Sequence, residues 1–316
     1  MYNILVTGVG SIIGYGIINS LRKSTIGINI IGVDIYDDAY GKHISDQFIQ
    51  GVRADSVNYI DFINEIVNLH KIDLIIPGIE QDLYKLWENK NSINTSVVIN
   101  NDLCIRLSKN KWDTFNFLSG YTINLIPTLY QGSFTDSADV LGLPFLIKPV
   151  SSYASKGIEV INNEAEFNAY VQKYTNERVC QKIVGSMESE FTISIFGDGA
   201  GKILDYIILR RNLSGEGATK KAIFVEDNDI LVYVEQLAGI LKPVGPLNIQ
   251  VRKEAGKVYL LEINPRLSSA CSIRTLMGYN EPELCIRYFL LKESIKPAAK
   301  IQGTVIRYIA DYMYQS

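Results

Sequence analysis

The residues best equipped for chemistry lie in the last third of the chain: Gln250, Glu262, Asn264 and Arg266. Glu262 and Asn264 are two apart in the apolar run Val258-Tyr-Leu-Leu-Glu-Ile-Asn264. On a strand they share one face, while Leu261 and Ile263 turn toward a core. Gln250 sits in the preceding run Leu247-Asn-Ile-Gln250, and a turn over Lys253 to Lys257, containing Gly256, folds the two runs into antiparallel neighbours. One carboxylate and two amide oxygens then converge. Such hard oxygen ligands suit Mg2+ (or Mn2+), an ion that keeps waters and is usually completed by substrate phosphates. Pro265 ends the strand, and Arg266 emerges beside the metal set, where a guanidinium can hold an anionic group through paired hydrogen bonds. Taken alone, a strand ending in an Asn-Pro turn accounts for the same residues.

Two upstream segments could serve phosphates. Leu143-Pro-Phe-Leu-Ile-Lys148-Pro149 reads as a strand whose Lys148 can reach a triphosphate. The loop after it carries Ser155, Lys156 and Gly157, and such a loop folds over phosphates because N–H groups and hydroxyls donate to their oxygens. Arg210 and Arg211 close the apolar strand that begins at Tyr206, where they could bind a γ-phosphate or a carboxylate; solubilising arginines look the same.

The elements that position these groups are legible in outline. Asn3 to Thr7 reads as a buried strand, Gly8-Val-Gly-Ser-Ile-Ile-Gly14 as a tight turn, Tyr15 to Lys23 as a helix, and Ile28 to Asp34 as a second strand ending in an acid. A helix over Tyr59 to His70, a strand over Ile72 to Pro77, a helix over Asp82 to Asn89 and a strand over Ser96 to Ile99 continue the alternation of a parallel sheet. Glu80, just past a strand's carboxyl end, is an acceptor-site candidate and equally a helix-capping carboxylate. The glycine turn invites an NAD(P) reading with Asp34 on a ribose. A dehydrogenase of the short-chain type needs Tyr and Lys four apart on a helix, however, and Tyr153 and Lys156 are three apart in a loop-like segment. Downstream, Ser108 to Leu118 reads as one helix, Asp229 to Leu241 as another, and Gly303 to Ile309 as a final strand.

Composition narrows the function classes. A chain of 316 residues with 47% hydrophobic residues can bury a sizeable core in two or three lobes. A net charge of -3 and no dense block of Lys and Arg give no electrostatic case for nucleic acid. Four scattered cysteines and two histidines offer no zinc set. The glycine-broken start lacks a basic leader, and no run approaches the roughly 20 apolar residues of a membrane span. A reducing cytoplasm fits best.

Glu-x-Asn-Pro-Arg after an apolar run, with an upstream Gln, resembles the metal-binding end of ATP-grasp enzymes, especially those similar to the carbamoyl-phosphate synthase large subunit. The resemblance runs over nearly the whole chain in family order. It implies that Gln250, Glu262 and Asn264 hold Mg2+ against ATP, that Lys111 and Lys148 approach the phosphates, and that Glu190 lies on the nucleotide side. The segment from Arg178 to Gly185, with Gln181, Lys182 and Val184, is similar to the one whose backbone meets adenine. The match is incomplete: Asn110 replaces the usual Asp before Lys111, and Ser152 and Ala154 stand where the lid usually has glycines.

The implied fold is α/β, with an N-terminal Rossmann-like parallel sheet over 1–105 and an ATP-grasp domain over 106–316. The latter would divide into a small lid lobe of about 120–184 and an antiparallel-sheet core of about 185–316. The implied activity is ligation of a small-molecule carboxylate to an amine (or thiol) through an acyl phosphate, with Arg266 and Arg211 in the reaction site and ADP released. A kinase making a stable phosphoester, a nucleotide-binding module without turnover and an NAD(P)-dependent oxidoreductase are the alternatives. The resemblance leaves a homodimer open and implies no nucleic-acid or membrane partner.

Overall fold

The computed structural model describes the chain except for residues 152–156, 216, 309–310, 312 and 314–316. Ser155 and Lys156 therefore lie outside the described residues.

The first lobe runs β1 (Tyr2–Thr7), α1 (Ile12–Leu21), β2 (Ile28–Asp34), β3 (Gln47–Gln50), α2 (Tyr59–His70), β4 (Leu74–Ile76), α3 (Glu80–Glu88) and β5 (Ser96–Val97). Its strands are parallel in the order β3-β2-β1-β4-β5. Continuous apolar runs such as Ile4-Leu-Val6 follow from burial on both faces, one under α1 and the other under α2. The short edge strand β3 carries no alternation that would have marked it in the sequence. Two glycines here serve close packing: a Cβ on Gly14 would lie 2.2 Å from Gly8 O, and one on Gly78 2.2 Å from Thr7 O.

Next come α4 (Asp102–Ser108) and α5 (Lys111–Leu118). The single helix expected over Ser108 to Leu118 is broken, because the Asn110 side chain accepts from the N–H groups of Trp112 and Asp113 and starts a new helix. Helix α4 straddles residue 105, and its Cys104 and Leu107 pack into the core of the third lobe. The second lobe holds β6 (Thr128–Tyr130), α6 (Phe134–Leu141), β7 (Phe145–Pro149), β8 (Glu159–Ile161), α7 (Glu164–Lys173) and β9 (Arg178–Lys182). Its antiparallel sheet has the order β6-β9-β7-β8 and a small core built on Phe145, Phe167 and Tyr170.

The third lobe contains β10 (Glu190–Asp198), β11 (Ile203–Leu213), β12 (Thr219–Phe224), α8 (Asn228–Leu241), β13 (Val244–Glu254), β14 (Lys257–Asn264), α9 (Cys271–Leu276), α10 (Glu281–Cys285), a π-helical turn over Ile286–Leu290 and β15 (Thr304–Ile306). The sheet order is β14-β13-β10-β11-β12-β15, antiparallel throughout. Alternation divides its two faces. Phe191, Ile193 and Ile195 join Leu247, Ile249 and Val251 against the apolar side of α8. The opposite face carries Glu190, Thr192 and Ser194 beside Arg252, Gln250 and Asn248, which are register partners across β10 and β13. A polar sheet face this buried must be paired internally.

The first and third lobes are pinned together. Thr275 Oγ1 donates to Ser20 Oγ at 2.8 Å, Asn280 Nδ2 to Ser20 O at 2.9 Å, and Asn100 Nδ2 to Pro246 O at 2.9 Å. Among the described residues no helix is long and apolar enough to cross a membrane, and the four cysteines are buried thiols.

Candidate active site

The β13–β14 hairpin turns at Ala255 and Gly256, whose φ values of 48° and 76° match a two-residue hairpin turn. It places Gln250 opposite Glu262 and Asn248 opposite Asn264. Pairing shifts between Gln250 and Val251, which face Glu262 and Leu260, so Leu261 is the extra residue of a bulge. This corrects the expectation that Leu261 points into the core: the bulge leaves it half-buried on the wall of a cleft, whereas Ile263 is 3% exposed in the core.

Glu262 Oε1 accepts from Gln250 Nε2 at 2.5 Å and from Asn264 Nδ2 at 3.1 Å. Gln250 Oε1 in turn accepts from Arg211 Nη2 at 2.5 Å. Arg211 is buried and donates through Nη2 and Nε to Glu190 Oε1 at 2.8 and 3.2 Å. Arg252 takes the other oxygen, Glu190 Oε2, at 2.9 Å through Nη2 and 3.1 Å through Nε. The expected metal set and two further candidates, Arg211 and Glu190, thus form one connected chain. Glu190 is held between two guanidiniums, which explains how a carboxylate only 5% exposed stays paired.

The opposite wall comes from the second lobe and α5. Lys148 on β7 donates to Gln181 Oε1 at 2.7 Å, and Gln181 Nε2 donates to Thr128 Oγ1 at 2.9 Å. Burial pushes the Lys148 ammonium down to about 8, helped by the like charge of Lys111, with Glu262 pulling the other way. Lys111 opens α5, and its backbone N–H donates to Val150 O at 2.8 Å, tying that helix to the end of β7. Burial lowers the Lys111 ammonium as well, against the attraction of Glu262 and Glu80. Lys111, Lys148, Gln181, Leu261, Glu262 and Asn264 all line this cleft. Gly157 has φ +74° and no room for a Cβ, which would lie 2.9 Å from the Pro149 ring. Lys182 and Val184 are not among the residues lining the cleft; Lys182 N–H donates to Pro127 O at 3.0 Å, and Val184 O accepts from Arg252 Nη1 at 3.4 Å.

Arg266 Nη2 meets Glu80 Oε1 at 2.6 Å, and Nη1 donates to Leu267 O at 2.9 Å. Two residues 186 apart in sequence, each an acceptor-site candidate, form one ion pair between the first and third lobes. Arg266 Nε is buried without a partner and remains a donor.

A fully buried group behind the site has no sequence signal of its own. Arg274 pairs with Glu281 at 3.0 Å and donates to Asn248 Oδ1 at 2.6 Å and Thr192 Oγ1 at 3.0 Å. Ser194 Oγ donates to Glu281 as well. Asn248, the register partner of Asn264, is the member that the alternation Asn-Ile-Gln on β13 could have flagged.

Whether a metal fits is a question of donors. Among the described residues no three His, Cys, Asp or Glu side chains cluster for one ion. Glu262 with the amides of Gln250 and Asn264 supplies a single carboxylate and neutral oxygens, a set that fits Mg2+ whose coordination phosphates and water complete. Gln250 would offer its oxygen only by turning its amide and leaving Arg211.

A parallel-sheet lobe, a small antiparallel lobe carrying a buried lysine and a large antiparallel sheet carrying an acid and two amides together have the layout of the ATP-grasp fold. Residues 187–312 match the family described as "ATP-grasp in the biosynthetic pathway with Ter operon", and residues 4–99 match "PylC-like, N-terminal domain". Each of the two family models covers its own part of the chain, the first lying within the large antiparallel lobe and the second over the parallel-sheet lobe.

It is similar to formate-dependent phosphoribosylglycinamide formyltransferase of Wigglesworthia glossinidia brevipalpis, with 26% identity over 86% of this chain and 72% of the relative. The Prochlorococcus marinus (strain NATL1A) counterpart is 26% identical over 58% of this chain, which spans only about half (49%) of that relative. Carbamoyl phosphate synthase large chain of Clostridium botulinum (strain Eklund 17B / Type B) is 26% identical over 42% of this chain and 14% of its own length. Among solved structures, N5-carboxyaminoimidazole synthetase from Staphylococcus aureus complexed with ADP matches with TM-score 0.72 and 18% identity, covering 95% of this chain and 80% of that one. The biotin carboxylase domain of Hydrogenobacter thermophilus 2-oxoglutarate carboxylase matches with TM-score 0.73 and 15% identity over 96% and 73%.

Proposed function

We propose that the protein is an ATP-dependent ligase joining a small-molecule carboxylate to an amine (or thiol) through an acyl phosphate. The observation that carries this reading is the cleft in which Lys111 and Lys148 face Glu262, with the Arg266–Glu80 pair at its border. The substrate carboxylate attacks the γ-phosphorus of ATP and ADP leaves; the amine then attacks the acyl carbon, phosphate leaves, and the amine gives up its proton. Lys111 and Lys148 bind phosphate oxygens in a dry setting where charge counts for more than in water. Mg2+, or Mn2+ in its place, held by Glu262, Asn264 and Gln250, neutralises transferring charge when bound. Arg266 exchanges Glu80 for the substrate carboxylate, using the same fork geometry. Arg211 lies one hydrogen bond from Gln250 and serves as a reserve cation beside the phosphates. Gln181 orients Lys148, Glu190 orients Arg211, and Gly157 allows the chain after β7 to turn back; Ser155, Lys156, Lys182 and Val184 remain the proposed lid and adenine contacts.

The relatives named as ligating or transferring enzymes, and the ADP complex among the solved structures, support ATP use and small-molecule substrates. Against a dinucleotide site, the Asp34 carboxylate accepts the Gly10 N–H at 2.7 Å and the Tyr36 N–H at 3.1 Å, filling the glycine turn from within. Four buried thiols support a reducing compartment such as the cytoplasm. The test is ADP release across a panel of carboxylates and amines with mass identification of the product. ADP formation should require the carboxylate, and hydroxylamine should replace the amine to give a hydroxamate. A stable phosphoester product, or AMP in place of ADP, would overturn the reading.

A further inference from the structure

A second cavity, of about 670 Å3, opens at the carboxyl ends of β1, β2 and β3 in the first lobe. Ligands of open parallel sheets sit on this side. Val33, Val52 and Tyr36 form apolar and aromatic walls, and Tyr59 and Asp82 are buried lining residues at 2% and 6% exposure. The Tyr59 hydroxyl faces Asp82 but makes no hydrogen bond of normal geometry, so a buried polar group is left to be satisfied.

The charges around the cavity choose the ligand's sign. Arg53 is bound to Asp55 at 3.0 Å, and Glu88 to Lys109 at 3.0 Å, which neutralises both pairs. Among the described lining residues, Asp34 and Asp82 then stand against Lys85 alone. The usual anion donors of such a loop are already taken: Gly10 N–H by Asp34, and Gly14 N–H by Ser11 Oγ at 2.9 Å. A phosphate here would meet carboxylates where it needs N–H groups. A cation meets two carboxylates and two aromatic lining residues, Tyr36 and Tyr59. Burial raises the Asp82 carboxyl, and a positive partner restores its charged form.

We propose that this cavity binds an unphosphorylated organic ammonium compound, the amine partner of the ligation, with an ammonium between Asp82 and the Tyr59 hydroxyl and its apolar body along Val33, Val52 and Tyr36. The assignment of the bound amine as co-substrate rests on the ligase reading; the binding itself does not. The wall between this cavity and the phosphate cleft is thin. Tyr84 lines the first, Ser108 lines the second, and their hydroxyls are 3.3 Å apart. The Tyr84–Ser108 contact is thus where the two cavities adjoin, while Asp82 leaves helix α3 on another side from Tyr84.

The experiment titrates the full chain with 1,4-diaminobutane and, separately, inorganic phosphate, by calorimetry, with a non-hydrolysable Mg-ATP analogue titrated in parallel. Saturable diamine binding and no phosphate binding at this site are expected. Asp82→Asn should weaken diamine binding about tenfold or more, as loss of a charged hydrogen bond does, with analogue affinity unchanged. Tyr59→Phe, which removes only the hydroxyl, should weaken it several-fold and guards against an Asp82 variant that fails to fold. No diamine binding by protein that binds the analogue, undiminished binding in both variants, or displacement of the diamine by phosphate would overturn the site. Diamine binding without any effect of amines on ADP release would keep the site and overturn its assignment to the amine co-substrate, whereas a stable phosphoester or AMP as product would sink the ligase reading.

Discussion

One amide couples the acid of the candidate metal set to a buried cation: Gln250 Nε2 donates to Glu262 Oε1 at 2.5 Å while Gln250 Oε1 accepts from Arg211 Nη2 at 2.5 Å. Were Gln250 to turn its amide oxygen toward an ion held by Glu262, it would give up the Arg211 hydrogen bond and leave Arg211 with Glu190 as its remaining partner.

Glu262 supplies the sole carboxylate of the Gln250, Glu262 and Asn264 set, so Glu262→Gln should keep the fold and abolish Mg2+-dependent ATP turnover, by about a hundredfold or more. Steady-state ADP release across a Mg2+ series measures this. Normal turnover at ordinary Mg2+ would place the metal elsewhere.

Lys148 gives a pH signature. Its ammonium is pushed down to about 8 by burial in the folded chain, below its ordinary value of 10.5. The unfolded chain therefore binds the extra proton between those values, and stability should rise with pH across that window as the cost of a buried charge is relieved. Nucleotide affinity should move the opposite way, falling above about pH 8 because phosphate binding needs the charged form. Lys148→Met should flatten both profiles. Affinity that stayed level from pH 7 to 9.5 in the parent chain would remove Lys148 from the phosphate site.

Arg266 is assigned to the substrate carboxylate in exchange for Glu80. Arg266→Ala should raise KM for the carboxylate by about tenfold or more, the loss expected for a charged hydrogen bond, and leave KM for ATP within about twofold. Equal effects on both substrates would instead make the Arg266–Glu80 pair a structural clasp between lobes.

The Arg274–Glu281 pair has no exposed surface, and removing one partner strands the other charge. Arg274→Met and Glu281→Gln should each cost about 3–5 kcal/mol of stability, read as a lowered midpoint in urea. Replacing both together by apolar residues should cost less than the sum of the single changes. Additive losses would show that the two side chains act independently.

Sequence alone determined the alternation on β10, β13 and β14, because a side-chain period of two fixes which residues share a face before any tertiary contact exists. It therefore put Gln250, Glu262 and Asn264 together, put Lys148 at the end of its strand, and placed a parallel sheet ahead of them. What it left open depended on partners far along the chain or on a local irregularity. The bulge that turns Leu261 to the cleft interrupts the period itself. The two guanidiniums around Glu190 come from β11 and β13, and Glu80 reaches Arg266 only once the first lobe has docked on the third. Asp34, the ribose ligand of the NAD(P) alternative, instead accepts the Gly10 N–H because the turn after β1 folds directly against the end of β2. Each of these is a pairing energy between distant charges or amides, and only the tertiary structure brings such groups within hydrogen-bonding range.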